Sequence, residues 1–480
     1  MITLTRRQAR TLRGVFRRSV LGIPHRRPIP PLVLRADRTE LRAQHRYVAL
    51  GAEQVLVTAS GPREALALPL DALADIEGPD DAPVTLEALA IDRTVARWTD
   101  CGIPQTREYP VESVDNLVPF PLTPTSWSEV PGTFHDALAE ASATTEDDDK
   151  RYALECIQIR ERNGAHEVVA TDGRQLFLQG GFALPWHGDV LIRRSPAFAC
   201  RPLSGASTLS VGRIPTHLVL RVGSWTFYHA IQTEARFPRV DSIIPAVSFA
   251  ATRLQLAPAD AQLLCSALDR LPGPDVLNGP CTLDLNGRIA LRAAGESAPA
   301  TELILSRSHY DGAPVRLCTN RAFLARALQL GFTTLEIADP STPLACRAGD
   351  RTYVWQPLDK DAALAPDDNA IRLDSSRDRA SLDPPTPRPL ERPTMPRIPE
   401  NGAAPTEIPR APELSSPDTG PGSGLSSLIV EAEAIQTILT DVRTRSAKLV
   451  VALKRHRKRE RLVQTTLASL RQLKLQDVTA

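Results

Sequence analysis

At 480 residues the chain has room for roughly three domains, and 42% hydrophobic content allows each a substantial core. Lysine plus arginine (57) nearly balance aspartate plus glutamate (56), so net charge by itself names no partner. Seven dispersed cysteines (Cys101, Cys156, Cys200, Cys265, Cys281, Cys318 and Cys346) form no CxxC or CxxxH pair. They argue against disulfides and zinc and for buried thiols in a reducing cytoplasm. No apolar run approaches the roughly 18 residues that a membrane span needs. The Arg-rich start lacks the apolar stretch of a signal peptide, so it is expected to be part of the fold.

In chain order, RRQARTLRGVFRRSV (6–20) has helical periodicity. At 100° per residue, Arg6, Arg10, Arg13 and Arg17 stack on one side with Arg7 and Arg18 adjoining, while Ala9, Leu12, Phe16 and Val20 form the opposing apolar stripe. LVLRADRTELRAQ (32–44) alternates as strand, turn, strand, and VTLEALAI (84–91) begins another strand group. The same order returns: helix FHDALAEAS, strand pair CIQIRERNGAHEVVATDG (156–173), then STLSV (207–211) with LVLRVGSWTFYHAI (218–231). It returns again as helix APADAQLLCSALDRL, strand pair LDLNGRIALRAAGES (283–297), helix NRAFLARALQL (320–330), and TTLEI (333–337) with LACRAGDRTYVWQPL (344–358). Leu86, Leu209 and Leu335 mark the spacing. The pattern predicts three similar α+β domains of about 120 residues, tandem rather than solenoidal. Within the second, VVATDGRQLFL (168–178) reads as a hairpin corner, because Asp-Gly supplies a local backbone bond and a positive φ.

After Leu358 the composition changes. Residues 362–424 contain thirteen prolines and no Phe, Tyr or Trp, the composition of a disordered tether. From Leu425 apolar residues return on alternating three- and four-residue steps, predicting a coiled coil or helical hairpin over 425–480. Its weak centre coincides with KRHRKRER (454–461), which suits either a phosphate backbone or a solvated face. The segment carries 11 basic and 5 acidic residues, leaving the preceding chain net acidic.

RYALECIQIR (151–160) followed by VATDGRQLF (169–177), FPRVDSIIP (237–245), CTNRAFLARAL (318–328) and the closing YVWQPL (353–358) together resemble the bacterial sliding clamp family, the DNA polymerase III beta subunit. The resemblance covers roughly residues 1–360 and implies clamp domains at 1–125, 126–247 and 248–361, before the linker 362–424 and the basic helix 425–480. It further implies antiparallel sheets outside and helices lining a pore, in a homodimeric ring around duplex DNA. Such a ring holds DNA without reading sequence, needs no cofactor or metal, and works in the cytoplasm near the nucleoid. Dimer contacts would come from the edges of the first and third domains. Arg6, Arg10, Arg13 and Arg17 would then face DNA. Peptides of the polymerase and clamp loader would dock in a pocket lined by Leu154, Thr171, Gly173, Arg174, Leu176, Pro245, Val354 and Leu358, with Asp172 fixing the corner beside it.

This chain departs from the family pattern in several places. Glu146 to Asp149 place consecutive acids where the family's loop approaches DNA, and like charge repels phosphate. Gln356 and Arg174 make the pocket more polar, Cys156 replaces a frequent glycine, and the chain runs on past Leu358. RQLKLQ (471–476) partly matches the Q-L-x-L-F peptides that dock in clamp pockets, though Gln476 replaces the anchoring aromatic. No phosphate-binding Gly loop, GxGxxG or HExxH motif occurs, so nothing invites an enzyme reading. Two alternatives to the ring stand beside it: a clamp-fold scaffold that recruits partners through the coiled coil without encircling DNA, and a DNA-binding protein working mainly through its basic tail.

Overall fold

The structure, a computed structural model, describes residues 1–20, 29–57, 63–146, 153–200, 203, 205–273, 278–295 and 299–376. The chain separates into two units, Met1–Thr386 and Pro387–Ala480, and every described residue lies in the first. The expected coiled coil, the 454–461 cluster, the RQLKLQ segment and the acids Asp147 to Asp149 lie outside the described residues.

One order of elements recurs three times. The first pass runs β1 (Ile2–Thr5), α1 (Arg6–Val20), β2 (Leu32–Ala36), β3 (Glu40–Tyr47), β4 (Leu50–Val57) and β5 (Glu64–Leu68). It ends with α2 (Ala72–Ile76), β6 (Pro83–Ala90), β7 (Arg93–Asp100) and β8 (Ile103–Pro110). The second runs β9 (Ser128–Pro131), α3 (Thr133–Thr144), β10 (Cys156–Arg162), β11 (Ala165–Thr171), β12 (Gln175–Phe182) and β13 (Val190–Arg193). A 3-10 turn (Pro196–Ala199) then leads to β14 (Thr208–Ile214), β15 (His217–Val222) and β16 (Trp225–Ala230). The third runs β17 (Thr252–Gln255), α4 (Pro258–Ala267), β18 (Pro280–Asn286), β19 (Arg288–Ala293), β20 (Thr301–Ile304) and β21 (His309–Gly312). It continues with β22 (Val315–Asn320), α5 (Arg321–Gln329), β23 (Thr334–Ile337), β24 (Leu344–Ala348) and β25 (Arg351–Trp355). A further strand follows, β26 (Ile371–Asp374).

These strands form four sheets, ordered β1-β6-β7-β8, β5-β2-β3-β4-β16-β15-β14-β9, β13-β10-β11-β12-β25-β24-β23-β17-β21 and β22-β18-β19-β20-β26. Each repeat therefore contributes one half-sheet ending in a meander (β2-β3-β4, β10-β11-β12, β18-β19-β20) and another ending in its last strand. Neighbouring repeats fuse edge to edge. β16 pairs antiparallel with β4 from Trp225↔Gln54 to His229↔Leu50, and β25 pairs with β12 from Trp355↔Gln175 to Arg351↔Gln179.

Alternation along each strand sends one set of side chains to the helix-covered core and the other to the opposite face. Tyr353 and Trp355 join the large core of the second and third repeats, whereas Val354 belongs to a separate small cluster on the other side. In α1 the expected stripe is the buried one: Ala9, Leu12, Phe16 and Val20 are all at most 6% exposed, joined by Val15. Burying Leu12 and Phe16 contributes about 2–3 kcal/mol each, which is what holds the helix on its sheet.

Two expectations need correction here. The Pro-rich linker was to be disordered from residue 362, yet its residues Ile371–Asp374 form β26 and pair with β20. Its main-chain groups find partners on β20, which offsets the ordering entropy that composition alone could not. The seven cysteines are all free, but Cys101 and Cys265 are exposed rather than buried. Among the described residues no helix is long and apolar enough to cross a membrane, and no group of three His, Cys, Asp or Glu side chains could hold a metal.

Candidate functional site

The fused sheet of the second and third repeats carries an apolar cluster on the face away from its core. At the joint Leu176 stands opposite Val354, and Ala345 is next to Val354 on β24. Val169 and Val240 complete the buried set, with Leu178, Phe237 and Ile244 packed on it half-buried. Phe237, Val240 and Ile244 belong to the segment linking the two repeats, which is pinned from both sides. Arg160 donates two bonds to the Asp241 carboxylate (2.8 and 3.0 Å) and Arg162 a third (2.7 Å). The hydrogen bond from Arg160 holds the Asp241 carboxyl below its ordinary range. From the third repeat Arg347 donates to the carbonyl of Pro245.

The T-D-G corner borders this cluster and is built from its own side chains. Asp172 Oδ1 accepts from the main-chain N–H of Arg174 (2.8 Å) and of Gln175 (2.9 Å), while its Oδ2 accepts from the Gln175 amide (2.8 Å). Thr171 Oγ1 accepts from Gly173 N–H and donates to Gln175 O. Gly173 sits at φ +85°, a conformation that disfavours any side chain, and Leu154 Cδ1 lies 3.7 Å from where its Cβ would be. Asp172 is not at positive φ, so the loop is not the two-residue mirror-image turn that Asp-Gly suggested. It is a longer loop tied together by the three hydrogen bonds that Asp172 accepts. The Gln175 side chain also accepts from the Tyr353 hydroxyl, whose pKa burial pushes far up, so the corner is bonded to the third repeat.

The residues expected to line a pocket lie at or beside this joint. Leu176 and Val354 face each other across it, 3% and 1% exposed and packed with Val240; Leu154 lies beside Gly173 at the corner, and Pro245 is tied by its carbonyl to Arg347. Arg174 is exposed at the rim, and its carbonyl accepts from Gln356 N–H (2.9 Å). The Gln356 side chain turns away to donate to Ser341 O (2.8 Å). Leu358 is half-buried just beyond β25, tied by its N–H to Cys318 O (2.8 Å). Val169, Leu178, Val240, Ala345, Phe237 and Ile244 were missed. Val169 and Leu178 could have been read from period-two alternation with Leu176; Ala345 and the linker residues have no such local signal. Ile243, Val247 and Phe249, in the linker and just after it, are exposed. The arrangement is a patch of apolar side chains whose linker is held by ion pairs and main-chain bonds.

The arginine face of α1 is divided. Arg10 and Arg17 are exposed, and their side chains make no ion pair or hydrogen bond among the described residues. Arg13 pairs with Glu77. Arg6 is corrected outright: it is 6% exposed, ion-paired to Asp100 (2.9 Å) and bonded to the carbonyl of Glu77 (3.0 Å). As the first helical residue it lies over the turn toward β1, so 100° spacing placed it on the outer face while tertiary packing folded residues 77–80 and 100 over it. Helices α3 and α4 contain no lysine or arginine, and in α5 Arg326 is spent on Glu140 (3.0 Å) and Arg321 on main-chain carbonyls.

No family model and no curated protein matches the sequence. Solved structures do match. The Caulobacter crescentus beta sliding clamp, with PEG bound at a putative beta-motif tethering region, aligns with a TM-score of 0.64 at 19% identity, covering 74% of this chain and 98% of that one. The Pseudomonas aeruginosa DNA polymerase III subunit beta gives 0.63 at 17%, covering 74% and 99%. The Thermotoga maritima beta subunit gives 0.62 at 12%, covering 75% and 99%. With three repeats fused edge to edge and a whole clamp chain spanned in each comparison, this chain has the fold of the bacterial sliding clamp.

Proposed function

We propose that this protein is a clamp-type, non-catalytic platform that encircles duplex DNA as a two-chain ring and tethers a DNA polymerase and other clients through peptides docked on the Leu176–Val354 cluster. The clamp domains on this reading are 1–125, 126–247 and 248–361. The observation that carries it is the edge-to-edge rule of the sheets: two of the joints a six-domain ring requires are already made within one chain. Arg10 and Arg17 supply sequence-independent attraction to phosphate, which salt screens. Retention on closed circular DNA tests it. The full chain, loaded on a closed circle, should resist moderate salt and slide off when the circle is cut; equal loss from circle and linear DNA overturns encirclement.

A second reading, a clamp-fold scaffold that does not encircle DNA, is favoured by two observations. The helices α3 and α4 carry acids but no lysine or arginine, and β26 covers a sheet edge that ring closure would use. Equal loss from both DNA forms, with client-peptide binding intact, is its expected signature.

A further inference from the structure

The strand-pairing rule is broken at one place. β4 and β12, the outermost meander strands of the first two repeats, are each paired along their outer edge by another repeat's last strand, always antiparallel. β20 is their counterpart in the third repeat, and β8 is the counterpart of β16 and β25 in the first. β8 remains a sheet edge. β20 does not, because β26 pairs with it in parallel from Thr301↔Ile371 to Ile304↔Asp374.

The two edges are matched in kind. The β7–β8 hairpin turns on Cys101 and Gly102, both at positive φ (48° and 82°), so Asp100 and Ile103 close the ladder as a hydrogen-bonded pair. Alternation from that pair turns the main-chain groups of Pro104, Thr106, Glu108 and Pro110 outward. Proline has no N–H, so outward donors stand only at Thr106 and Glu108, a short stretch with blunted ends. On β20, Leu305 N–H bonds inward to Ile289 O (3.0 Å), which leaves Glu302 and Ile304 turned outward. Consistent with that, Ile371 N–H reaches Ala300 O (2.8 Å) and Ser375 N–H reaches Ile304 O (3.0 Å).

β26 is specifically but lightly held. Arg372 Nε donates to the fully buried Glu302 carboxylate (2.8 Å), and Ser306 Oγ to Asp374 (2.7 Å). Its apolar side chains gain little, since Ile371 and Leu373 stay 53% and 46% exposed. Glu302 also keeps Arg288 and Arg292 when Arg372 leaves, so releasing the strand does not strand a buried charge.

We propose that Ile371–Asp374 is a self-blocking strand. It occupies the β20 edge that β8 of a second copy of this chain would pair with, so chain-to-chain joining requires β26 to peel away. The inference rests on the ring reading for the identity of that second partner.

The test is the self-association of the full chain by sedimentation equilibrium, in three forms. Leu373→Pro removes the donor midway between Ile371 and Ser375 and touches no joint between repeats. Adding Thr106→Pro removes an outward N–H of β8 without costing a bond to β7. Hydrogen exchange at 301–304 reports whether the edge is open. Losing one or two main-chain bonds should tighten association by about tenfold in Leu373→Pro. The double variant should return at least to the wild-type level. Equal dimerisation of wild type and Leu373→Pro, lost in the double variant, overturns the block and leaves the ring standing. An opened edge on a chain that stays monomeric overturns the ring joint itself. Association indifferent to Thr106→Pro comes from elsewhere in the chain and also overturns the proposal.

Discussion

The two joints within the chain share strand order, direction and length, yet the outer face of one is polar and that of the other is an apolar cluster. Counting from Gly223 and Gly349, Tyr228 corresponds to Val354, and their partners Gly51 and Leu176 correspond in turn. At the first joint the outer face is polar and closed. Gln44 donates to Glu53 (2.6 Å), and the first linker lays Phe120 over Gly51 and edge-on to Tyr228 (5.0 Å). A side chain at Gly51 would meet that ring at 3.3 Å. The linkers run in parallel as VDNLVPF (114–120) and VDSIIPA (240–246), with Arg46 bonded to Pro119 O and Arg347 to Pro245 O. Where the first linker has Phe120, the second has Ala246, exposed. The same device thus lays an aromatic over the first joint, while at the second it contributes Val240 and Ile244 to the apolar cluster and keeps Ala246 exposed.

The inner faces differ too, and this gives the largest expected effect. His229 stands where the second joint has Trp355, and His45 is close by on β3 opposite Ala52. Burial lowers the pKa of His45 to about 4 and of His229 to about 3, and His229 Nε2 has no hydrogen-bond partner among the described residues. A histidine whose folded pKa lies below its unfolded value contributes stability above the unfolded pKa and loses it as pH falls toward the folded one. Between pH 6.5 and 4 the unfolded state therefore binds more protons, and each histidine should cost about 2 kcal/mol by pH 5. Acid should loosen the first joint before the second, read as faster hydrogen exchange in β4 and β16 than in β12 and β25. His229→Phe should remove about half of the pH dependence.

Next in size, Leu176→Ala should cost about 2–4 kcal/mol of stability, because that side chain is 3% exposed at the centre of the second joint. Denaturant midpoints check it, and binding of a Q-L-x-L-F peptide should fall in parallel. Ala246→Phe copies the first joint's aromatic onto the second. It should lower peptide affinity by about tenfold, the scale of one displaced apolar contact, with stability unchanged. Unchanged affinity would move the docking site away from the linker side of the cluster. Smallest per residue, Arg10→Ala with Arg17→Ala should reduce the salt slope of DNA binding by about 2, while Arg6→Ala should change stability rather than that slope. A slope drop for Arg6→Ala alone would contradict its burial against Asp100.

Repetition was legible in the chain because each element carries its own period: α1 in its Ala9–Leu12–Phe16 stripe, the meanders in their alternation, the corner in Asp172 and Gly173. The apolar cluster at the second joint was legible only through resemblance and only in part. Ala345 and Val240 join it across long sequence separations, and no local pattern reports such contacts. The fate of Arg6 was hidden for the same reason, since helical spacing gives a side chain's direction but not what folds over it. Charge counts likewise missed that Arg13 is neutralised by Glu77 and that Arg326 is held by Glu140.

By itself, then, the sequence determined three α+β repeats, the apolar side of the first helix and the corner at Asp172, all properties of neighbouring residues and their periods. Only the tertiary structure decided which edges are joined, which joint gathers an apolar cluster on its outer face and which edge β26 covers. Those depend on main-chain groups of strands far apart in the chain, and every residue but proline carries the same main-chain donor and acceptor.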